Sequence, residues 1–267
     1  MIRGPVPVFI ISFNRGDWLR RCVAACRKLA TSVDVVIHDN GSDDPSTLRC
    51  LELFEAEGIA VVRRGKIRDS AELNQLNDTI ACYLAGRAPA PYVVTDCDID
   101  ISIAAPDALG VYNELLDMFP DASCVGPMIR IRDVPRHYPL FAHVMNRHIE
   151  QFWHHRPEWV STKWGQLAIQ RAPIDTTFAL HRAGEPFFRL REGIRVYEPY
   201  EACHLDWYLS EAELRDAPYF SSSSDQIAHW SNRDELLRRK QLTLQCDRFI
   251  YVERDEEGRL QEKTFLL

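Results

Sequence analysis

Three carboxylates at alternate positions, Asp96, Asp98 and Asp100, follow directly on the apolar run Tyr92-Val93-Val94-Thr95. A strand that ends this way presents Asp96 and Asp98 at the carboxyl edge of a sheet, where open α/β folds receive ligands. Two hard oxygen donors there suit Mg2+ or Mn2+, ions that keep several waters and bridge to substrate phosphates. The same alternation occurs in Ca2+ loops, phosphatases and ordinary polar turns, so the setting decides its meaning. Asp100 reads as a turn or cap residue, because Ile101 and Ile103 after it face elsewhere.

The elements that must position these groups alternate along the first 130 residues. Val6 to Ser12 is an apolar run ending in small polar residues, the pattern of a buried strand. Behind the start signal Asn14-Arg15-Gly16-Asp17, the residues Trp18, Leu19, Cys22, Val23, Cys26 and Leu29 recur with helical period. Val33 to His38 predicts a second strand, and the polar loop Asp39 to Pro45 caps a helix through Leu48, Leu51 and Phe54. Ile59 to Val62 predicts a third strand, Leu73, Leu76, Ile80 and Leu84 a third helix, and Tyr92 to Thr95 the fourth strand. Strands alternating with helices imply parallel βαβ units with helices on both faces.

After Pro106 a helix through Leu109, Tyr112, Leu115, Leu116 and Phe119 leads to a strand from Cys124 to Ile131. The character then changes. Residues 133–175 hold five of the nine histidines and three of the six tryptophans, which predicts loops and a short helix shaping a pocket rather than core. Ser221 to Ser224 reads as a polar loop, and Phe249 to Val252 with the charged turn Asp255 to Gly258 reads as a terminal hairpin. The boundary falls at a nucleotide-binding half, 1–132, and an acceptor-binding half with a C-terminal extension, 133–267, within one continuous domain.

Composition narrows the class. With 46% hydrophobic and 27% charged residues the chain is of globular type, and no apolar run reaches the roughly 20 residues that cross a bilayer. The N-terminus enters an apolar strand without a signal-peptide layout, which predicts a cytoplasmic protein. Eight cysteines are scattered with no Cys-x-x-Cys pair, so neither a zinc knuckle nor a redox motif is supported. Cys22 and Cys26 read as buried free thiols on the core side of a helix. A net charge of −7 leaves no footprint for nucleic acid, while allowing a small basic pocket for a phosphorylated ligand.

Three segments in order carry a family likeness: Ile11-Ser12-Phe13-Asn14-Arg15, Val36 through His38-Asp39-Asn40-Gly41-Ser42 to Asp44, and Val93-Val94-Thr95-Asp96-Cys97-Asp98. They resemble the T-Y-N-R strand end, the D-D/N-G-S-x-D signature and the metal-binding D-x-D of GT-A fold nucleotide-sugar glycosyltransferases, closest in style to family 2. The likeness covers residues 5–105 and thins out beyond. It implies a Rossmann-like, mainly parallel sheet with helices on both faces, followed by an acceptor-binding half.

The likeness also implies roles. Ser12, Asn14, Arg15 and Asp39 would lie against the donor nucleotide, Asp39 accepting a hydrogen bond from the base. The plainer reading makes Asn14 and Asp39 helix and turn caps and Arg15 a surface charge. Asp96 would face the ribose or donor sugar, and Asp98 would hold Mn2+ or Mg2+ through the diphosphate. A further ligand from the C-terminal half is expected at His204 or His229, His204 being favoured for its mixed aromatic, acidic and apolar segment. The general base would be Asp175, a lone carboxylate before an apolar strand, with Asp206 second. A cap role for Asp175 and a hydrogen-bonded histidine at 204 are the bland counterparts. Trp153, Trp159 and Trp164 either stack on a sugar or plug core.

The expected activity is thus metal-dependent, inverting transfer of a sugar from a nucleoside-diphosphate sugar, UDP-linked by family frequency, to a saccharide or glycolipid hydroxyl. Bacterial surface polysaccharide or glycolipid synthesis is the expected setting, with peripheral association at the inner face of a membrane left open. The processive E-D and Q-x-x-R-W motifs are missing, which favours single additions. A sugar-nucleotide nucleotidyltransferase would show a Gly-rich loop after the first strand, which Phe13-Asn14-Arg15-Gly16 does not supply. A haloacid phosphatase would carry its D-x-D on the first strand. A non-catalytic sugar- or nucleotide-binding relative would keep the fold without turnover.

Overall fold

The computed structural model describes residues 2, 4–69, 72, 74–222 and 242–267. Four strands lie side by side in parallel: β1 (Val6–Ser12), β2 (Val33–Asp39), β3 (Ala60–Arg63) and β4 (Tyr92–Asp96), in the order β3-β2-β1-β4. Helices α1 (Gly16–Cys26), α2 (Pro45–Ala56) and α3 (Gln75–Leu84) make the crossovers between them. Period-two alternation sorts their side chains onto both faces. Val8 and Ile10 face Leu19, Cys22, Leu51 and Phe54 of α1 and α2, while Phe9, Val36 and Val94 face Leu76 and Ile80 of α3. Cys22 and Cys26 are buried free thiols in the first of these layers. The α1–α2 contact is tight at Gly16, where a Cβ would stand 3.0 Å from the Thr47 Cα.

Beyond β4 come β5 (Ile99–Asp100), α4 (Ala108–Met118), β6 (Cys124–Pro127), α5 (Phe141–His148), β7 (Glu158–Thr162), β8 (Gly165–Ile174), β9 (Ala179–His181), β10 (Arg191–Val196) and β11 (Cys203–His204). Five of these strands complete a nine-stranded sheet in the order β3-β2-β1-β4-β9-β6-β10-β8-β7. Strands β9 and β8 run antiparallel to their neighbours, so seven strands point one way and two the other. Strands β5 and β11 pair apart from this sheet, His204 opposite Ile99. Helices α6 (Glu211–Asp216) and α7 (Pro218–Ser222) follow, then the hairpin β12 (Arg248–Arg254) and β13 (Leu260–Leu266).

Three expectations are corrected. The strand expected over Cys124 to Ile131 stops at Pro127; Met128 and Arg130 still donate to the Val196 and Ala202 carbonyls, but the ladder is not continuous. The stretch expected to be loops and a short helix before Asp175 does contain the short helix, α5, but a π-helical turn over Ile149–Trp153 and the β7–β8 hairpin at the sheet edge stand where loops were expected. The run from Leu167 to Ile169, buried residue after residue, is the signature of a strand covered on both faces. Ser221 and Ser222 end α7 rather than lying in a loop; Ser223 and Ser224, with His229, lie outside the described residues, as does Leu73.

Among the described residues, no helix is long and apolar enough to cross a membrane.

Candidate active site

Register brings the acidic motif to one edge. Ser12 pairs with Asp39 and Ile11 with Asp96, so β1, β2 and β4 end together. The chain leaves β4, turns through Cys97-Asp98 into β5, and is met there by β11. Leu205 N–H donates to the Asp98 carbonyl at 2.8 Å. That backbone pairing, more than a hundred residues away in sequence, delivers His204 and Asp206 beside Asp98.

One oxygen or ring nitrogen each from Asp98, His204 and Asp206 fall within 4.8 Å of one another. Arg15 enters the same space from the start of α1. One of its terminal nitrogens donates to Asp98 Oδ2 and the other to Asp206 Oδ2, the latter at 2.7 Å. His204 Nε2 stands 3.8 Å from Asp98 Oδ2, its ring stacked on Trp207 at 4.8 Å between centroids. Burial alone would raise the Asp98 carboxyl, but His204 and Arg15 overcome it and hold Asp98 below the ordinary range. At Asp206 burial wins over Arg15, and the carboxyl is raised. The Arg15 guanidinium, despite its burial, is held charged by Asp206 and Asp98. It also lies 3.5 Å from the ring centroid of Tyr219 in α7.

The donor set fits a divalent cation. Asp98 Oδ1, Asp206 Oδ1 and His204 Nδ1 are all buried without a hydrogen-bond partner. Unmet carboxylate oxygens such as those of Asp98 and Asp206 are costly in a protein interior, so a ligand that satisfies them is favoured. Two carboxylates and an imidazole match the preferences of Mn2+.

Asp96 stands on the other side of the motif, a third of its side chain open to the cavity. Thr176 Oγ1 donates to its carboxylate and its backbone N–H donates to the Thr176 carbonyl at 2.8 Å. Arg189 lies 3.9 Å away. Desolvation dominates, opposed by Arg189 and reinforced by Asp98, and the Asp96 carboxyl is pushed up to about 7. Asp175, in the turn between β8 and β9, is 3.1 Å from Arg189 Nε. Arg189 thus stands between Asp96 and Asp175, both of which line the cavity.

Ser12, Asn14 and Asp39 are used differently. Asp39 is buried, and its two oxygens accept from Ser42 N–H at 2.9 Å and Ser42 Oγ at 2.5 Å, closing the turn after β2. Asn14, at φ +48°, accepts from the N–H groups of Asp43 and Asp44 and donates to Asp43 Oδ1 and Ser222 Oγ. It clamps the β2–α2 loop and α7 together. Ser12 is buried with its hydroxyl unpartnered. Their neighbours Phe13, His38, Asn40 and Lys66 line the cavity instead. Lys66 is brought in by a close approach at Gly41, where φ is +79° and a Cβ would meet the Lys66 nitrogen at 2.5 Å. Asp100 accepts from Ser102 N–H and pairs with Arg21, a turn residue as its position suggested.

The cavity holds about 840 Å3, and Asp96, Asp98, Asp175, His204 and Asp206 all line it. Of the tryptophans, Trp153 is buried against Tyr197 and Phe249, Trp164 covers Gly110, and Trp159 is on β7; none of the three lines the cavity, whereas Trp207 does. Sequence reasoning missed Arg189, Arg195, Trp207 and Tyr219. Trp207 was visible only as part of the aromatic setting of His204, and no motif or spacing singled out the other three.

No family profile matches the chain, and no curated protein matches it. Among solved structures it is similar to the mannosyltransferase PcManGT from Pyrobaculum calidifontis in complex with GDP-Man and Mn2+, at 17% identity, covering 67% of this chain and 45% of that one, TM-score 0.41. It is similar to glucosyl-3-phosphoglycerate synthase from Mycobacterium tuberculosis in complex with Mn2+ and uridine-diphosphate-glucose, at 16% identity, covering 55% and 51%, TM-score 0.32. A mycobacterial protein shares 15% identity, covering 98% and 84%, TM-score 0.42. The chain spans about half the length of the first two, 45% and 51%.

Proposed function

We propose that this chain is a metal-dependent glycosyltransferase moving a sugar from a nucleoside-diphosphate sugar to an acceptor hydroxyl in one inverting displacement. The observation that carries this reading is the Asp98–His204–Asp206 set, with its unmet ligand atoms, standing beside Asp96 and Asp175 in one cavity. Asp98, His204 and Asp206 would hold a divalent ion, which when bound would supply Lewis-acid stabilisation of the charge on the leaving nucleoside diphosphate. Arg15 adds a fixed positive charge at the same point. Phe13, Asn40 and Lys66 line the end of the cavity beside β1 and β2 and offer the base and ribose one aromatic face and two polar tips. Asp39 and Asn14 act on that end by fixing the loop that bears Asn40.

The acceptor oxygen bonds to the anomeric carbon as the bond from that carbon to the phosphate oxygen breaks. Asp175 takes the acceptor's proton, its carboxylate oriented by Arg189. Asp96, a third of its side chain open to the cavity, hydrogen-bonds a sugar hydroxyl. The family likeness favours a UDP-sugar, Mn2+ or Mg2+, a cytoplasmic setting, and a polysaccharide or glycolipid acceptor.

The test is thermal stabilisation by UDP, GDP, CDP and dTDP, each with and without Mn2+, on wild type and Asp98→Ala. A ligand binding only the native state stabilises it by about 2.7 kcal/mol at 100 times its dissociation constant. One nucleotide whose shift needs both Mn2+ and Asp98 supports the reading and names the donor. No metal-dependent shift with any of the four removes it. Hydrolysis or transfer from the matching sugar nucleotide then separates an enzyme from a binding relative.

A further inference from the structure

The end of the cavity away from the base carries two arginines with no direct ion pair among the described residues. Arg195, on β10, is 5% exposed and lines the cavity. Its Nε and Nη2 donate to the Pro173 carbonyl at 3.1 and 2.8 Å, and its Nη1 to the Pro127 carbonyl at 3.2 Å. A guanidinium has five N–H donors, so one on each terminal nitrogen is left over. Its flat face rests 4.5 Å from the Phe152 ring centroid. All its partners are neutral carbonyls, and the carboxylate that bears on it, Asp175, is already paired with Arg189. Burial accordingly pushes the Arg195 guanidinium down to about 10.

Arg147, in the last turn of α5, lines the same end and has no acidic partner among the described residues. His148 beside it also lines the cavity, with a buried Nδ1 that finds no partner. Two guanidinium groups and an imidazole nitrogen without a partner therefore line this end, where among the described residues the carboxylate that bears on Arg195, Asp175, is already engaged by Arg189. At Arg195, which is buried, such a charge is costly unless paired, and Arg147, which is exposed, adds a second positive charge at the same end. Arginine's planar fork matches phosphate and carboxylate oxygens. Strand β10 lies four positions from β1 across the sheet, on the order of 19 Å at ~4.8 Å per strand, so these groups stand apart from the base end.

We propose that this end binds an acceptor bearing an anionic oxyanion group, a phosphate monoester or a carboxylate, held by Arg147 and Arg195. The assignment rests on the transferase reading for the word acceptor; the anion site itself stands on the two arginines. It predicts that the transferred sugar goes to a small acid or a phosphorylated hydroxy compound rather than to a neutral glycan end.

The test is calorimetric titration of glycerol, glycerate and glycerol 3-phosphate into wild type, Arg147→Ala and Arg195→Lys, each with and without saturating UDP and Mn2+. Expected is binding of the anions at least about tenfold tighter than glycerol, retained with UDP and Mn2+ present. Arg147→Ala, a change at an exposed position, should lower anion affinity about tenfold and leave the nucleotide-dependent thermal shift in place. Tighter binding of glycerol 3-phosphate names a phosphate monoester, and tighter binding of glycerate names a carboxylate. Equal binding of glycerol and the anions overturns the proposal, as does anion affinity unchanged in both variants or displacement of the anions by UDP and Mn2+. Loss of the anion preference with the nucleotide shift intact sinks this inference and leaves the transferase reading standing. Anion binding through both arginines with no nucleotide shift does the reverse.

Discussion

The centre of the cavity and its far wall solve the problem of buried charge in opposite ways. At the centre, Arg15 faces Asp98 and Asp206, so positive and negative groups answer one another inside the protein. The positions are set by backbone: the β5–β11 pairing and the Leu205-to-Asp98 bond fix where the carboxylates and His204 stand. At the far wall, Arg195 is anchored only by neutral carbonyls and Arg147 projects from a helix without a counterion among the described residues. The first arrangement is self-compensated, yet it leaves one oxygen each of Asp98 and Asp206 without a partner. The second is left electrostatically open, which makes it a receptor for charge brought by a ligand.

Breaking the compensation at the centre has the largest expected effect. Arg15→Met leaves Asp98 and Asp206 buried with their main counter-charge gone, and metal-free stability should fall by about 3–5 kcal/mol in urea unfolding. Because Mn2+ would meet the same carboxylates, it should restore more stability to this variant than it adds to wild type. Equal Mn2+ effects in the two proteins would argue that the carboxylates do not hold the ion. Next, Asp98→Ala should abolish Mn2+-dependent nucleotide binding and lower turnover about 10²–10³-fold, measured by sugar-nucleotide consumption.

A sharper distinction comes from Asp175→Asn. It should lower kcat about 10²-fold while the nucleotide and Mn2+ thermal shift stays, because the base acts on the acceptor and not on the donor. A lost nucleotide shift would move Asp175 into the donor site. The smallest effect concerns pH. His38, near the base end, is pushed down to about 4, by burial first and then by Arg64, and burial likewise holds His148 well below its ordinary value. The unfolded chain therefore binds more protons below about pH 6.5, so stability is full above that pH and is lost as pH falls toward 4. The slope is at most about 1.4 kcal/mol per pH unit for each histidine. His38→Gln and His148→Gln should each flatten this acid limb in denaturation curves taken between pH 4 and 8, and an unaltered slope in either would place that imidazole in contact with water.

How far the residues alone could be read depended on whether their partners are local. The β1–α1–β2–α2–β3 alternation was legible because hydrophobic period and turn residues act within a few positions, and Asp96 and Asp98 were legible because a strand must end beside them. His204 and Asp206 were visible only as candidates, since their place beside Asp98 comes from a pairing across a hundred residues. At Asp39 the motif was legible and two readings stood open; its carboxylate closes the turn through Ser42, as the plainer reading had it, while His38 and Asn40 line the cavity. The β7–β8 hairpin was hidden because its histidine- and tryptophan-rich surroundings suggested a pocket, while the strand signal is a short fully buried run that fits a helix equally well.

By itself, then, the sequence determined the layered α/β core, the edge at which the acidic motif emerges, and the free cysteines inside it, because these follow from periodicity and burial along the chain. Tertiary structure alone decided which carboxylates stand beside His204, which arginines line the cavity with no ion pair among the described residues, and which aromatic rings face the cavity. Those are properties of distances between segments remote in sequence, and electrostatic energy in a buried site depends on distance and desolvation rather than on order along the chain.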